Sequence, residues 1–148
     1  MYCFSLWRPY PALIALGFKT IESRRWFSLP RYLVGNRLAI HAAKAIEPGA
    51  VEEAMAARGK WFDATELSRI DSWNGPGLVC HGLVAAVRWT TPDDAAAVCA
   101  FCPDRRVGIV LADVRRLLEV IPYKGHQGLM TVPDDLILSA HSVSVASV

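Results

Sequence analysis

One acidic residue is all that the first 44 positions contain. Glu22 stands there against Arg8, Lys19, Arg24, Arg25, Arg31, Arg37 and Lys44, a surplus of six positive charges in a chain whose formal net charge is +2. The remaining residues therefore sum to −4. A basic segment beside a mildly acidic remainder points to an anionic partner for one face, with phosphates first. The competing account is that these charges scatter over the surface once the chain folds.

Long uncharged apolar runs are also missing. The opening "MYCFSLWRPYPALIALGF" is broken by Arg8, Pro9 and Pro11, so neither a leader peptide nor a membrane span is expected, and a cytoplasmic location is. Cysteine is sparse: four in 148 residues supply no disulfide framework and suit a reducing compartment. Cys99 and Cys102 have the spacing of half a zinc site, but Cys3, Cys80 and His81 form no second pair, so no metal or other cofactor is expected. The chain has no G-x-S-x-G, no Walker-type glycine loop and no H-E-x-x-H, which removes the common nucleophile, nucleotide and zinc-protease signatures. There are no repeats and no low-complexity tracts.

What is present is a hydrophobic fraction of 53% with 20% charged residues, the balance of a folded chain, and a single domain over residues 1–148 is expected. "CFSLW" reads as a short strand ended by Pro9, and "PYPALIALG" as a short helix closed by Gly17. "KTIESRRW" alternates in period two, placing Lys19, Ile21, Ser23 and Arg25 on one side and Glu22, Arg24 and Trp26 on the other. "RLAIHAA" reads as a buried strand, expected to pair with residues 19–26 and so to gather Lys19, Arg24 and Lys44 in one cleft. "EPGAVEEAMAARG" is a helix with Pro48 at its start and Gly59 past its end. "DATELSRI" is a turn or two of helix, and "TPDDAAAVCAF" is helical with a capping start. "LVCHGLVAAVRW" and "VGIVLADVRRLLEV" are the two principal strands, with Gly82 a candidate bulge. "IPYKGHQGLM" is a glycine-punctuated loop. Strands with a few short helices and no regular β-α alternation give an α+β class, a small mixed β-barrel with flanking helices.

Three segments carry a resemblance. Gly-x-Lys-Thr-x-Glu-x-Arg at Gly17 to Arg24, His-x-x-Lys at His41 to Lys44, and Lys-Gly-x-Gln-Gly at Lys124 to Gly128 occur in the order seen in the ASCH domain of the PUA-like superfamily. The likeness runs from about Phe4 to Pro133. It implies a small PUA-like barrel whose cleft is lined by the Lys/Glu/Arg strand and the later glycine loop. Relatives of this fold bind RNA or modified nucleosides, and some ASCH-like proteins are hydrolases. One branch resembles amidohydrolases of N4-acylated cytidine that use a lysine, a threonine and a glutamate. Lys19 matches that lysine, but Glu22 stands where the threonine would be. Arg8-Pro9-Tyr10-Pro11-Ala12 replaces the usual Gln-Pro-Trp-Ala, and Met130 replaces a tryptophan.

Two functions from different classes follow. In the first, the chain binds RNA, single-stranded nucleic acid or a nucleotide-like molecule. Arg24 then offers a planar fork to a phosphate or base edge, Lys19, Lys44 and Lys124 act as point charges, and Glu22 accepts from a base amino group. Tyr10 and Trp26 are candidate stacking platforms, Gln127 reads a base edge, and His126 is more available than His41, which suits a structural role in its strand. In the second, the chain is a hydrolase of a modified nucleoside or of RNA, with Lys19 and Glu22 at the chemistry. A third, weaker possibility is a protein-interaction domain.

Overall fold

In the computed structural model, which describes residues 1–73, 75–101 and 105–147, the chain begins with β1 (Tyr2–Arg8). Pro9 ends that strand, and α1 (Tyr10–Ala15) follows with Pro11 in its first turn, where a missing N–H costs nothing. Gly17 then turns the chain with φ +86°, and a Cβ there would lie 2.2 Å from the Ala146 carbonyl oxygen. Glycine is required twice over at that point. Next come β2 (Ile21–Arg24) and β3 (Arg37–Ile46), then α2 (Ala50–Arg58) and α3 (Ala64–Ser72).

Gly59 caps α2 in the left-handed region as expected, whereas Pro48 lies just before the N-cap Gly49. A capping box between Asp63 and Glu66 starts α3, which settles "DATELSRI" as helix. The long strands β4 (Gly77–Trp89) and β5 (Val107–Pro122) flank α4 (Ala95–Val98). The chain finishes with β6 (Leu129–Thr131), α5 (Asp134–Leu138) and β7 (Ser142–Ser144).

The strands form one mixed sheet in the order β2-β5-β4-β3-β1-β6, with β7 on β5. Among the described strands only β1 and β3 run parallel; the other pairs are antiparallel. The register of β4 against β5 shifts across His81/Leu83, a bulge at Gly82. The class is α+β, as the order of strands and short helices implied. Strand pairing does not close this sheet into a ring, because β2 is bonded to β5 alone among the described strands. The expected partner of β2 is therefore corrected: β3 pairs with β1 and β4 instead.

The sheet is nonetheless strongly curled. Phe4 and Leu6 of β1, Leu38 and Ile40 of β3, Val84 of β4 and Ile109 of β5 share one buried cluster with Ile14 and Ala15 of α1. The other side of α1, through Leu13 and Leu16, packs on Ala54 of α2 and Ile70 of α3. A six-residue helix has no stability of its own. Burial of both its sides holds it, at about 2 kcal/mol for each fully covered large aliphatic side chain. On the outer face, Cys3, Ala39, Leu78 and Leu117 are covered by Val132 and Ile137. No helix among the described residues is long and apolar enough to cross a membrane.

His81 of β4 is 4% exposed and accepts a hydrogen bond at its Nδ1 from Arg37 Nε, 2.7 Å away. Burial first, then the Arg37 and Arg115 cations, hold its imidazole down at about 4. Its ordinary value is about 6.5. Between those pH values the unfolded chain binds a proton that the folded chain refuses. Stability present above pH ~6.5 is therefore lost as pH falls towards ~4, by up to about 3 kcal/mol. Urea midpoints measured across that window should fall with pH, and His81→Gln should flatten the slope; an unchanged slope in the variant would assign the acid sensitivity to the carboxylates.

Candidate functional site

The charged run begins where α1 ends. The N–H groups of Phe18 and Lys19 both donate to the Leu13 carbonyl, at 2.9 and 3.0 Å, which fixes the turn into β2. Pairing with β5 then sets Glu22 opposite Ile109 and Arg24 opposite Val107. Period-two alternation keeps Glu22 and Arg24 on one face, as expected. Lys19 departs from that alternation because the strand starts only at Ile21, so its side chain turns back towards Glu22 instead of following Ile21 and Ser23.

The result is a buried row of charge. Lys19 Nζ lies 3.4 Å from Glu22 Oε2, and Arg24 Nε lies 3.3 Å from Glu22 Oε1. Lys19 is 3% exposed and Glu22 7%. The ammonium also donates to the Val98 carbonyl at 2.7 Å and sits 5.3 Å from the Tyr10 ring centroid. The Arg24 guanidinium lies over the Phe4 ring, 4.6 Å from its centroid, and its Nη2 is buried with no hydrogen-bond partner among the described residues. Burial, followed by Glu53, Glu47 and Glu22, pushes the Tyr10 hydroxyl above its ordinary value.

Over this floor lies a cleft of about 430 Å³. Of the residues singled out in the sequence, Tyr10, Lys19, Glu22, Arg24, Trp26 and Gln127 line it. The ring of Trp26 packs 5.6 Å from Phe4, so that side chain is partly committed to the core. His41, Lys44 and Lys124 do not line this cleft; they line a second groove of about 580 Å³. The expected gathering of Lys44 with Lys19 and Arg24 is thus replaced by two hollows. Ser5, Trp7 and Gln127 border both.

Trp7, Arg25, Glu47 and Arg106 line the cleft without having been picked out in the sequence. Arg25 and Trp7 were visible as members of the basic run and of a strand. Glu47 and Arg106 carried no local signal: Glu47 is placed by its N–H donating to the Arg8 carbonyl, and Arg106 by its own approach to the Ser23 carbonyl.

In the second groove His41 is 1% exposed and fully hydrogen-bonded. Its Nδ1 lies 2.9 Å from Ser5 Oγ and its Nε2 lies 2.7 Å from the Tyr123 carbonyl oxygen. The loop after β5 closes over this pair at Gly125, where a Cβ would stand 2.4 Å from His41 Cε1 and 2.9 Å from Ser5 Oγ.

Cys3, Cys80 and Cys99 are free and buried, and burial pushes the Cys3 thiol up to about 12. Cys102 lies outside the described residues, so its spacing to Cys99 has no structural counterpart here. Among the described residues no group of three or more His, Cys, Asp or Glu is arranged to hold a metal.

A curled α+β sheet with a basic cleft at its open seam defines the class. No family profile matches the sequence, and no curated protein matches it. Solved structures do. An ASCH protein from Zymomonas mobilis superposes with TM-score 0.58 at 14% identity, covering 98% of this chain and 97% of that one. Two variants of that protein give the same result: a tyrosine-to-phenylalanine form (TM-score 0.52, 15% identity, 90% and 91% covered) and a serine-to-alanine form (0.57, 15%, 95% and 96%). The chain therefore has the ASCH fold over nearly its whole length. At this identity the likeness is one of fold.

The buried Lys19–Glu22 pair makes a testable energetic claim. Glu22→Ala leaves an ammonium buried beside an unanswered Arg24 and should cost about 3–5 kcal/mol. The double variant Lys19→Met/Glu22→Leu removes both charges at once and should cost less than Glu22→Ala alone. Chemical denaturation of the parent protein and the two variants reads this directly; a double variant that costs as much as Glu22→Ala or more would mean the charges do not interact.

Proposed function

We propose that this chain binds single-stranded RNA, or a nucleotide-like piece of it, across the two hollows. The observation that carries the reading is Trp7: it is 52% exposed and stands on the border between a cleft lined by Arg24, Arg25 and Arg106 and a groove lined by Lys44 and Lys124. An unpaired strand needs a flat apolar surface for a base, and cations on either side for the phosphates. The cleft volume lies within the range of small-molecule sites.

Several further features support it. Lys19 is already answered by Glu22, so the cations open to a ligand at the cleft are guanidinium groups: the Arg24 side chain is 22% exposed and Arg25 is exposed. A phosphate or a carbonyl on a base edge would pair with them. Glu22 and Glu47 can accept from base amino groups, and Gln127 can donate and accept at once. A role in RNA metabolism or its regulation, inside the cytoplasm, is the setting that fits such a module.

Hydrolysis by Lys19 is the weaker reading. A lysine base or nucleophile must be neutral and must reach its substrate, whereas Lys19 is ion-paired, bonded to the Val98 carbonyl and 3% exposed. Turnover of an N4-acylated cytidine is not expected.

Fluorescence anisotropy with a labelled oligoribonucleotide tests the proposal. Affinity should fall with salt, with a slope of about −0.7 per phosphate contacted. Lys124→Ala and Arg25→Ala should each make that slope shallower. Trp7→Ala should lose about 1–3 kcal/mol while leaving the slope unchanged, and Gln127→Ala should alter base preference. Titrations at two ionic strengths that agree, together with an inert Trp7→Ala, would overturn the reading.

A further inference from the structure

We propose that Ser5 and His41 form an acyl-transfer dyad that acts on short-chain carboxylic esters in the second groove, separate from any chemistry at Lys19. The two residues face each other directly across the parallel β1/β3 register, and Ser5 Oγ lies 2.9 Å from His41 Nδ1. The polarity of that contact follows from the third member. A backbone carbonyl can only accept, so the Tyr123 oxygen, 2.7 Å from Nε2, requires the proton on Nε2. Nδ1 then carries the lone pair. It accepts from the Ser5 hydroxyl, which is the arrangement of a nucleophile resting on its base, with the base oriented by a third group.

The surroundings fit the task. His41 is 1% exposed while Ser5 keeps part of its surface open and borders both hollows. The imidazole is thus covered, while part of Ser5 stays open towards the hollows. Trp7, Pro76, Pro122 and Tyr123 give the groove apolar walls for an acyl chain, and Lys44 and Lys124 bring positive charge to the groove in which the oxyanion would form. Glycine at position 125 lets the loop backbone close down on the pair, since any side chain there would strike both residues.

In the step proposed, Ser5 Oγ adds to the ester carbonyl carbon as its proton moves to His41 Nδ1. The tetrahedral adduct collapses, the bond to the alcohol oxygen breaks, and the departing alkoxide takes the proton from Nδ1. Acyl-Ser5 remains. Water then attacks with its proton passing to Nδ1, the carboxylic acid leaves, and the Ser5 hydroxyl is restored.

The folded full chain treated with an alkyl fluorophosphonate provides the test, read as site-resolved peptide masses. Ser28 and Ser68 are exposed and serve as internal references. Labelling of Ser5 should exceed theirs by at least ~100-fold, the lower bound for a positioned general base. His41→Gln should bring Ser5 down to the reference rate, and Ser5→Ala should abolish the release burst from p-nitrophenyl butyrate. If His41→Gln does not fold, the ratio within the unmodified chain still decides: any ratio below that bound overturns the dyad and leaves the pair as a cross-strand hydrogen bond. RNA binding is read by a different assay, so either proposal can fail alone.

Discussion

The seam that the sheet leaves unpaired is the constraint on which the rest of this protein depends. Six strands follow one another from β2 to β6, and their curl brings β2 round to face β1, four places away along the path. Phe4 of β1 touches both Arg24 and Trp26. Among the described strands none fills the remaining gap, since β2 is bonded to β5 alone. The charged cleft is that gap. Its depth comes from α1, which plugs the interior of the curl and is buried on both sides.

Such a seam has to solve an electrostatic problem. Two nearly buried charges, Lys19 and Glu22, would be costly apart, and together they about cancel their own desolvation. The gain lies in what they hold: the pair fixes Glu22, Glu22 fixes Arg24, and the guanidinium is held over the Phe4 ring, 4.6 Å from its centroid. The pair is therefore better understood as a device for orienting Arg24 than as a source of stability.

Strand β1 serves two hollows at once because its side chains alternate. Phe4 and Leu6 point into the core, while Ser5 and Trp7 meet the cleft and the groove. Its parallel neighbour β3 keeps step as far as Ala42, which is why His41 comes level with Ser5; the register then shifts, and Lys44 reaches the same groove only past that irregularity. The loop carrying Lys124, Gly125 and Gln127 is pinned to this pair through the Tyr123 carbonyl. An acyl-transfer site and a nucleic-acid site would share a wall at Ser5, Trp7 and Gln127.

The local elements and the charged strip were written in the sequence. Pro9 and Pro11 bounded β1 and α1, Gly59 ended α2, the β-branched runs became β4 and β5, and period two put Glu22 and Arg24 on one face. These depend on forces between residues a few positions apart. Tertiary structure alone decided that β2 pairs with β5, that Lys44 belongs to a second groove, and that Glu47, Arg106 and Ser5 border the hollows. Strand alternation fixes which way a side chain points but not which strand lies beside it. That choice is made by how the apolar faces of β1, β3, β4 and β5 close around α1, a condition on the whole core that no local stretch of sequence contains.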